Sequence, residues 1–214
     1  MEQIFETLQE YFLKLLQPKP LISLIALIAL TVVLVVISKK TKFSTKMLAY
    51  GSVAISVAFI LSYVRIYKMP TGGTVTLASM LPIFIFAYIA GARAGITAGI
   101  CYGLLQYIQD PFFAHPVQFI LDYPLAFALL GLAGLFKGNF YLGAVLGAVA
   151  RFICHYLSGV IFFAEYAPEG QSVFVYSLGY NSSYMIPELV IILGILMIPS
   201  LQAAIKRVRM AAYQ

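Results

Sequence analysis

The chain has 214 residues, of which 62% are hydrophobic and only 10% charged, with a formal net charge of +6 and a mean hydropathy of +0.93. A water-soluble domain carries roughly a quarter charged residues, so this chain lacks the polar surface of one and reads as embedded in a bilayer, with no separate soluble domain. Cys101 and Cys154 sit in apolar runs and define neither a disulfide framework nor a metal site. No run of charge points to nucleic acid.

Residues 1–19 place Ile4, Phe5, Leu8, Phe12 and Leu15 at helical spacing, which suits an amphipathic helix lying on the outer membrane surface. A spanning helix needs about 20 mainly apolar residues. Seven stretches qualify: 20–38, 47–66, 76–92, 94–109, 117–136, 140–163 and 184–205. The first carries no charge, and its basic cluster follows it with no small-residue cleavage site, so it reads as a retained anchor and not a signal peptide. The runs are continuous and do not alternate, so strands are not expected. Gly95, Gly99 and Gly103 recur every four residues, as do Gly143 and Gly147, which predicts small-residue faces for close helix packing.

Alternation of the loops gathers Lys39, Lys40, Lys42, Lys46, Arg93, Lys137, Lys206, Arg207 and Arg209 on one side, nine basic residues with no acid. The other side holds Lys14, Lys19, Arg65 and Lys68 among six acids: Glu2, Glu6, Glu10, Asp110, Glu165 and Glu169. The positive-inside rule then puts the amino terminus outside and the carboxyl terminus in the cytoplasm.

An ionisable group within a bilayer span faces the protein interior as a rule. Arg151 and His155 lie four apart and share a helix face, continued by Gly159 and Phe163, which suits a helix lining a cavity. For Arg151 the plain alternatives are pairing with an acid or reaching lipid phosphates; for His155, an interhelical hydrogen bond. Asp122, with Tyr123 beside it, stands near the outer end of the fifth span, as a ligand carboxylate or as a solvated or capping group. Glu188, which follows Pro187, is a further candidate; its plain alternatives are pairing with Arg151 or a helix-dipole role. Two outer loops are unusual. Residues 67–76 contain Lys68, Gly72, Gly73 and Thr74, and residues 164–183 contain Tyr166, Tyr176, Tyr180 and Asn181. Such loops either close over a cavity or supply an interfacial aromatic belt. Acid, imidazole, amide and aromatic rings together suit a planar cationic small molecule.

The chain has no G-x-x-x-x-G-K-[ST] phosphate loop, no H-E-x-x-H, no Cys/His metal spacing and no G-x-S-x-G elbow, and only two histidines, His115 and His155. No catalytic residue, metal or cofactor is assigned, and no enzyme activity is expected.

Six segments, in order, carry a resemblance. They are Gly72-Gly73-Thr74-Val75-Thr76-Leu77 leading to Met80-Leu81-Pro82; Tyr102-Gly103-Leu104-Leu105-Gln106; Leu121-Asp122-Tyr123-Pro124-Leu125-Ala126-Phe127; Arg151-Phe152 with His155, Ser158 and Gly159; Tyr166-Ala167-Pro168; and Tyr176-Ser177 with Tyr180-Asn181. From about residue 47 onward the chain resembles the ThiT family, the thiamine-specific S components of energy-coupling-factor (ECF) transporters. The resemblance implies an all-α, polytopic membrane bundle: a six-helix S-component core over residues 46–214, with residues 1–45 adding the amphipathic segment and an extra transmembrane helix. It implies a thiamine pocket near the outer face, closed by the first long loop. Asp122, Tyr176 and Asn181 would hold the aminopyrimidine, and His155 and Phe163 would face the thiazolium, with Gly159, Tyr123 and Tyr180 beside them. The family often has Trp where this chain has Phe163. The resemblance further implies residence in the bacterial plasma membrane, in contact with lipid, and partnership with a transmembrane scaffold subunit and two ATPase subunits. The scaffold would dock on small residues of the first core helix, here Ala54 and Ala58. An S component for another vitamin, a solitary proton-coupled carrier and a purely structural membrane subunit are the alternatives.

Overall fold

The computed structural model describes residues 44–69 and 72–212. The amphipathic segment at 1–19, the additional span at 20–38 and the basic residues Lys39, Lys40 and Lys42 lie outside the described residues, as do Pro70 and Thr71.

Helix α1 (Thr45–Tyr63) begins where the Ser44 hydroxyl accepts from the Met47 amide at 3.2 Å, satisfying one of the first-turn donors that a helix leaves open. After it comes a short antiparallel hairpin, β1 (Arg65–Lys68) with β2 (Thr74–Thr76), in the register Lys68↔Thr74 and Arg65↔Thr76. This corrects the expectation of no strands: the pairing is local and overlaps the apolar runs only at their edges, and so leaves no mark in their periodicity. Helices α2 (Leu81–Ala90) and α3 (Ala92–Gln109) meet at Gly91, whose φ of 89° turns the chain sharply between them.

Helix α4 (Pro116–Leu135) is central, and irregular. It is α-helical over Pro116–Ile120, winds as a π-helix over Leu121–Leu125, returns to α over Ala126–Ala128 and tightens to 3₁₀ over Leu129–Leu135. Pro124 has no amide hydrogen to continue the α ladder, and it lies within the π turn that also carries Asp122. The imidazole of His115 caps α4 by accepting from the Val117 amide at 3.1 Å, which requires the neutral ring. Burial lowers the His115 pKa and favours that form.

Helix α5 (Phe140–Phe162) starts at Asn139, whose side chain accepts from the Leu142 amide. A 3₁₀ turn at Ala164–Tyr166 leads to α6 (Val173–Leu196), and α7 (Pro199–Ala212) follows at a proline. Two expected boundaries shift here. The last span was expected at 184–205, but α6 begins at Val173 and the chain turns at Met197–Ile198. Tyr176, Tyr180 and Asn181 therefore stand on a helix and not in a loop. The first turns of α6 are polar because one face lines a cavity, so an apolar-run criterion passes over them.

By length and composition α1, α4, α5 and α6 can each cross a membrane, and α2 is a shorter apolar helix. The surface has the inverted character of a lipid-facing bundle: Val53, Val57 and Ile60 on α1, Val149 and Ile153 on α5, and Ile186 and Val190 on α6 are all exposed. The chain is thus a multi-pass helical membrane protein.

The glycine periodicity marks the tightest packing. Gly95, Gly99 and Gly103 turn one face of α3 inward, and a side chain on Gly99 would stand 2.1 Å from the Phe127 carbonyl oxygen of α4. Ala58 is fully buried, and its carbonyl accepts from Tyr102 Oη at 3.3 Å across the α1–α3 contact. This small residue therefore serves packing within the bundle and offers no docking surface, which corrects half of the Ala54–Ala58 expectation. Ala54 is half-buried.

Candidate ligand-binding site

A cavity of about 510 Å³ opens at one end of the bundle. That end gathers the carboxyl ends of α1, α3 and α5, the amino-terminal parts of α4 and α6, and the hairpin. Every residue expected at the ligand or in the covering loop lines it: Asp122 and Tyr123; His155, Gly159 and Phe163; Tyr176, Tyr180 and Asn181; and Lys68, Gly72, Gly73 and Thr74. The opposite end carries Lys46, which donates to the Ala211 carbonyl, and Arg209, which donates to the Lys137 carbonyl at 2.8 Å and lies 4.5 Å over the Tyr88 ring.

Asp122 is the most densely bonded of these groups. Gln118 and Ser158 each donate to its Oδ2 at 2.7 Å, and His155 Nδ1 stands 3.0 Å from Oδ1. The geometry assigns the histidine proton. Arg151 Nε, which can only donate, lies 3.1 Å from His155 Nε2. Nε2 must then hold the lone pair, and Nδ1 carries the hydrogen given to Asp122. Arg151 thus neither pairs directly with an acid nor reaches outward to lipid. Its guanidinium turns inward, 4.2 Å from the Phe127 ring centroid, and the neutral imidazole links it to the carboxylate. A carboxylate has about four lone-pair sites, so three protein donors leave Asp122 able to accept one more.

The α5–α6 contact places the amide. A side chain on Gly159 would stand 2.2 Å from Ser177 Oγ, so only glycine lets the helices meet there. Asn181 Nδ2 donates to the Ser177 carbonyl at 2.9 Å, and its Oδ1 accepts from Tyr184 Oη at 2.7 Å. Phe163 closes α5, its ring 5.4 Å from Phe112 and 5.9 Å from Tyr166. The Tyr176 and Tyr180 rings lie 6.0 Å apart. Tyr123 Oη accepts from the Phe112 amide and donates to the Asp110 carbonyl, tying α4 to the preceding loop.

Two kinds of contact hold the hairpin over the cavity. Gly73 presses on the Tyr184 ring, and its amide donates to Tyr180 Oη at 3.1 Å. On the outer edge Lys68 Nζ and Arg65 Nη2 approach Asp110 Oδ2 at 2.8 and 3.3 Å. These outer pairs are partly exposed, and such pairs contribute at most about 1 kcal/mol. Asp110→Asn is expected to speed amide exchange over residues 65–69 by less than about fivefold, and added salt to do the same in the native chain. A larger change, read by hydrogen-exchange mass spectrometry, would assign the pair more of the closure than its exposure allows.

Gln118, Ser158 and Tyr184 were not singled out as binding residues. Helical spacing offered a signal for two of them, since Gln118 lies four before Asp122 and Tyr184 three after Asn181. Glu188 is fully buried in the middle of α6 and bonds to Thr76 and Ser79. Neither a helix-dipole role nor direct pairing with Arg151 describes it. Among the described residues no group of three or more His, Cys, Asp and Glu could hold a metal ion.

A multi-pass helical bundle with a polar, aromatic cavity at one end and a hairpin over its mouth defines a class: membrane proteins that take a small solute from one side of the bilayer. The family model described as thiamine transporter protein (Thia_YuaJ) matches residues 48–208, and the chain belongs to this family. It is 39% identical over 141 residues to the thiamine transporter ThiT of Bacillus subtilis (strain 168), covering 58% of this chain and 73% of that protein. It is 30% identical over 141 residues to the thiamine transporter ThiT of Lacticaseibacillus paracasei, covering 55% of this chain and 70% of that protein. The fold matches a solved ThiT structure from Listeria monocytogenes at a TM-score of 0.64 and 24% identity, over 74% of this chain and 96% of that one.

Proposed function

We propose that this chain captures thiamine from outside the cell, as the membrane-embedded S component of an ECF-type importer. The observation that carries the reading is the convergence of Asp122, His155 and Asn181 with a ring wall on one cavity, in a chain of the thiamine transporter family. Thiamine is a cation of two planar rings joined by a methylene group, with an exocyclic amine. In this reading Asp122 accepts from the aminopyrimidine, and Tyr176 and Asn181 border the same ring. The thiazolium lies against His155 and Phe163, where an aromatic face attracts a cation. Gly159 lets α6 approach so that Asn181 stands beside the ring, Tyr123 and Tyr180 complete the walls, and the hairpin carrying Lys68, Gly72, Gly73 and Thr74 closes over the ligand.

The orientation follows from charge. Arg93, Lys137 and the α7 cations occupy the end away from the cavity, so the positive-inside rule puts the cavity outside. Residues 46–214 form the binding domain, and residues 1–45 are a separate addition that thiamine capture does not need. Transport energy comes from two ATPase subunits through a scaffold subunit, which docks on the exposed face of α1 formed by Val53, Ser56, Val57 and Ile60.

Calorimetric titration of the purified protein with thiamine tests the binding reading, with riboflavin and biotin as controls. One-to-one binding of thiamine alone is expected, with unchanged affinity after removal of residues 1–43, which spares the Ser44 cap of α1. A monodisperse protein that binds no thiamine would sink the assignment. ATP-dependent uptake requiring the scaffold and ATPase subunits is expected in vesicles; uptake without them would favour a solitary carrier.

A further inference from the structure

We propose that Glu188 is a positioning residue for the ligand: through Thr76 it fixes the inner strand of the hairpin over the cavity. The inference rests on reading that cavity as the thiamine site.

Glu188 is 1% exposed and lines the cavity on the same face of α6 as Asn181 and Tyr184. Burying a carboxylate is costly unless it is hydrogen-bonded, so its partners indicate what it does. The Thr76 hydroxyl donates to Glu188 Oε1 at 2.5 Å. The Ser79 hydroxyl lies 2.7 Å from Thr76 Oγ1 and 3.2 Å from the same carboxylate oxygen, and donates to one of them. Thr76 ends β2, and Ser79 lies just before α2. One acid of α6 therefore holds Thr76 directly and ties in Ser79, directly or through Thr76, at the two ends of the turn joining the hairpin to the bundle.

The backbone gives a second, independent reason for that grip. Ala78, within this turn, has φ 56°, the only positive value at a non-glycine position among the described residues. A residue with a Cβ avoids this region and holds it only where its surroundings over-determine the conformation. Glu188, bonded to Thr76 and linked to Ser79 either directly or through the Thr76 hydroxyl, supplies that constraint. The two edges of the hairpin are then unequal. β1 is held by the exposed pairs to Asp110, whereas the segment from Gly73 to the end of β2 rests on α6, Gly73 on Tyr180 and Tyr184 and Thr76 on Glu188. The outer edge releases readily while Thr76 stays anchored. A buried hydrogen bond is stronger than one in water, so this anchor governs how long a closed ligand remains.

The test compares the full-length protein with Thr76→Val, Glu188→Ala, Glu188→Gln and the Thr76→Val/Glu188→Ala pair. Two quantities are measured: thiamine association and dissociation rates, and amide exchange over residues 65–76 without ligand. Thr76→Val and Glu188→Ala are each expected to speed dissociation about tenfold or more, the effect of leaving the buried partner of a lost hydrogen bond unsatisfied, with association changed by less than about twofold. The double variant is expected to be no faster than either single one, as for two halves of one interaction. Glu188→Gln keeps an oxygen for Thr76 and is expected to stay close to the native rate. Exchange over 65–76 rises in Thr76→Val and Glu188→Ala. If Glu188→Gln is as damaging as Glu188→Ala while Thr76→Val behaves as native, Glu188 is a ligand contact and the proposal fails. Unchanged exchange over 65–76 in both Thr76→Val and Glu188→Ala also overturns it. That arm needs no ligand, so it stands apart from any failure of the thiamine assignment.

Discussion

Replacing Asp122 with alanine is expected to weaken thiamine binding by about 30-fold to a few thousandfold while the protein stays monodisperse. The range corresponds to about 2–5 kcal/mol, the cost of removing one member of a desolvated charged pair. Two effects combine. The variant loses the acceptor facing the ligand, and it strips partners from Gln118, Ser158 and His155, which all donate to the same carboxylate. Freed from Asp122, the His155 ring keeps only its bond to Arg151 and is no longer oriented from both sides. Asp122→Asn separates the contributions, since it keeps one acceptor oxygen but removes the charge, and an intermediate loss is expected. Calorimetry gives the affinities, and size-exclusion chromatography in detergent confirms that the variants are folded. Native affinity in Asp122→Ala would remove this residue from the site.

Gly99→Ala is expected to cost about 3 kcal/mol or more of stability, at the upper end for overpacking a tight contact. The added methyl would lie 2.1 Å from the Phe127 carbonyl oxygen and 2.9 Å from the Ala128 Cα. Both neighbours are backbone, so no side chain can turn aside, and α3 and α4 must separate. Phe127 lies one helical turn beyond Asp122, so thiamine affinity is expected to fall as well. The measurement is thermal unfolding in detergent, compared with Gly179→Ala, where nothing lies within 4 Å of an added methyl. Equal melting temperatures for the two variants would show that the α3–α4 contact is looser than this packing implies.

The legible parts of the fold were those decided by transfer to lipid. Apolar runs located α1, α3 and α5 closely, because a helix surrounded by lipid and apolar neighbours has few polar positions. The same criterion misplaced the start of α6 by about three turns: Ser177 and Asn181 face a cavity, and their polarity reads as a loop. It also gave no sign of the hairpin at 65–76, whose strands pair locally above the bundle.

The site was legible as a set of residue types and not as an arrangement. Spacing along one helix put Arg151, His155 and Gly159 on a common face, and the family resemblance added Asp122, Tyr176 and Asn181. The tautomer of His155 could not be read this way, since it depends on Arg151 and Asp122 approaching opposite sides of one ring from two helices. Glu188 had its partners misassigned for a related reason. Thr76 and Ser79 lie 112 and 109 residues away in the chain, and no local pattern connects them.

By itself, the sequence determined that this protein lives in a bilayer, where most of its helices run, and which helix faces are small enough to touch. These properties follow from local composition and the 3.6-residue repeat, acting over one or two turns. Only the tertiary structure decided that α4 unwinds into a π turn at Asp122, that Ala58 packs inward, and that Glu188 holds the hairpin. The packing of Ala58 and the grip of Glu188 depend on groups that meet across the bundle, where a buried polar side chain must find its partner within the protein.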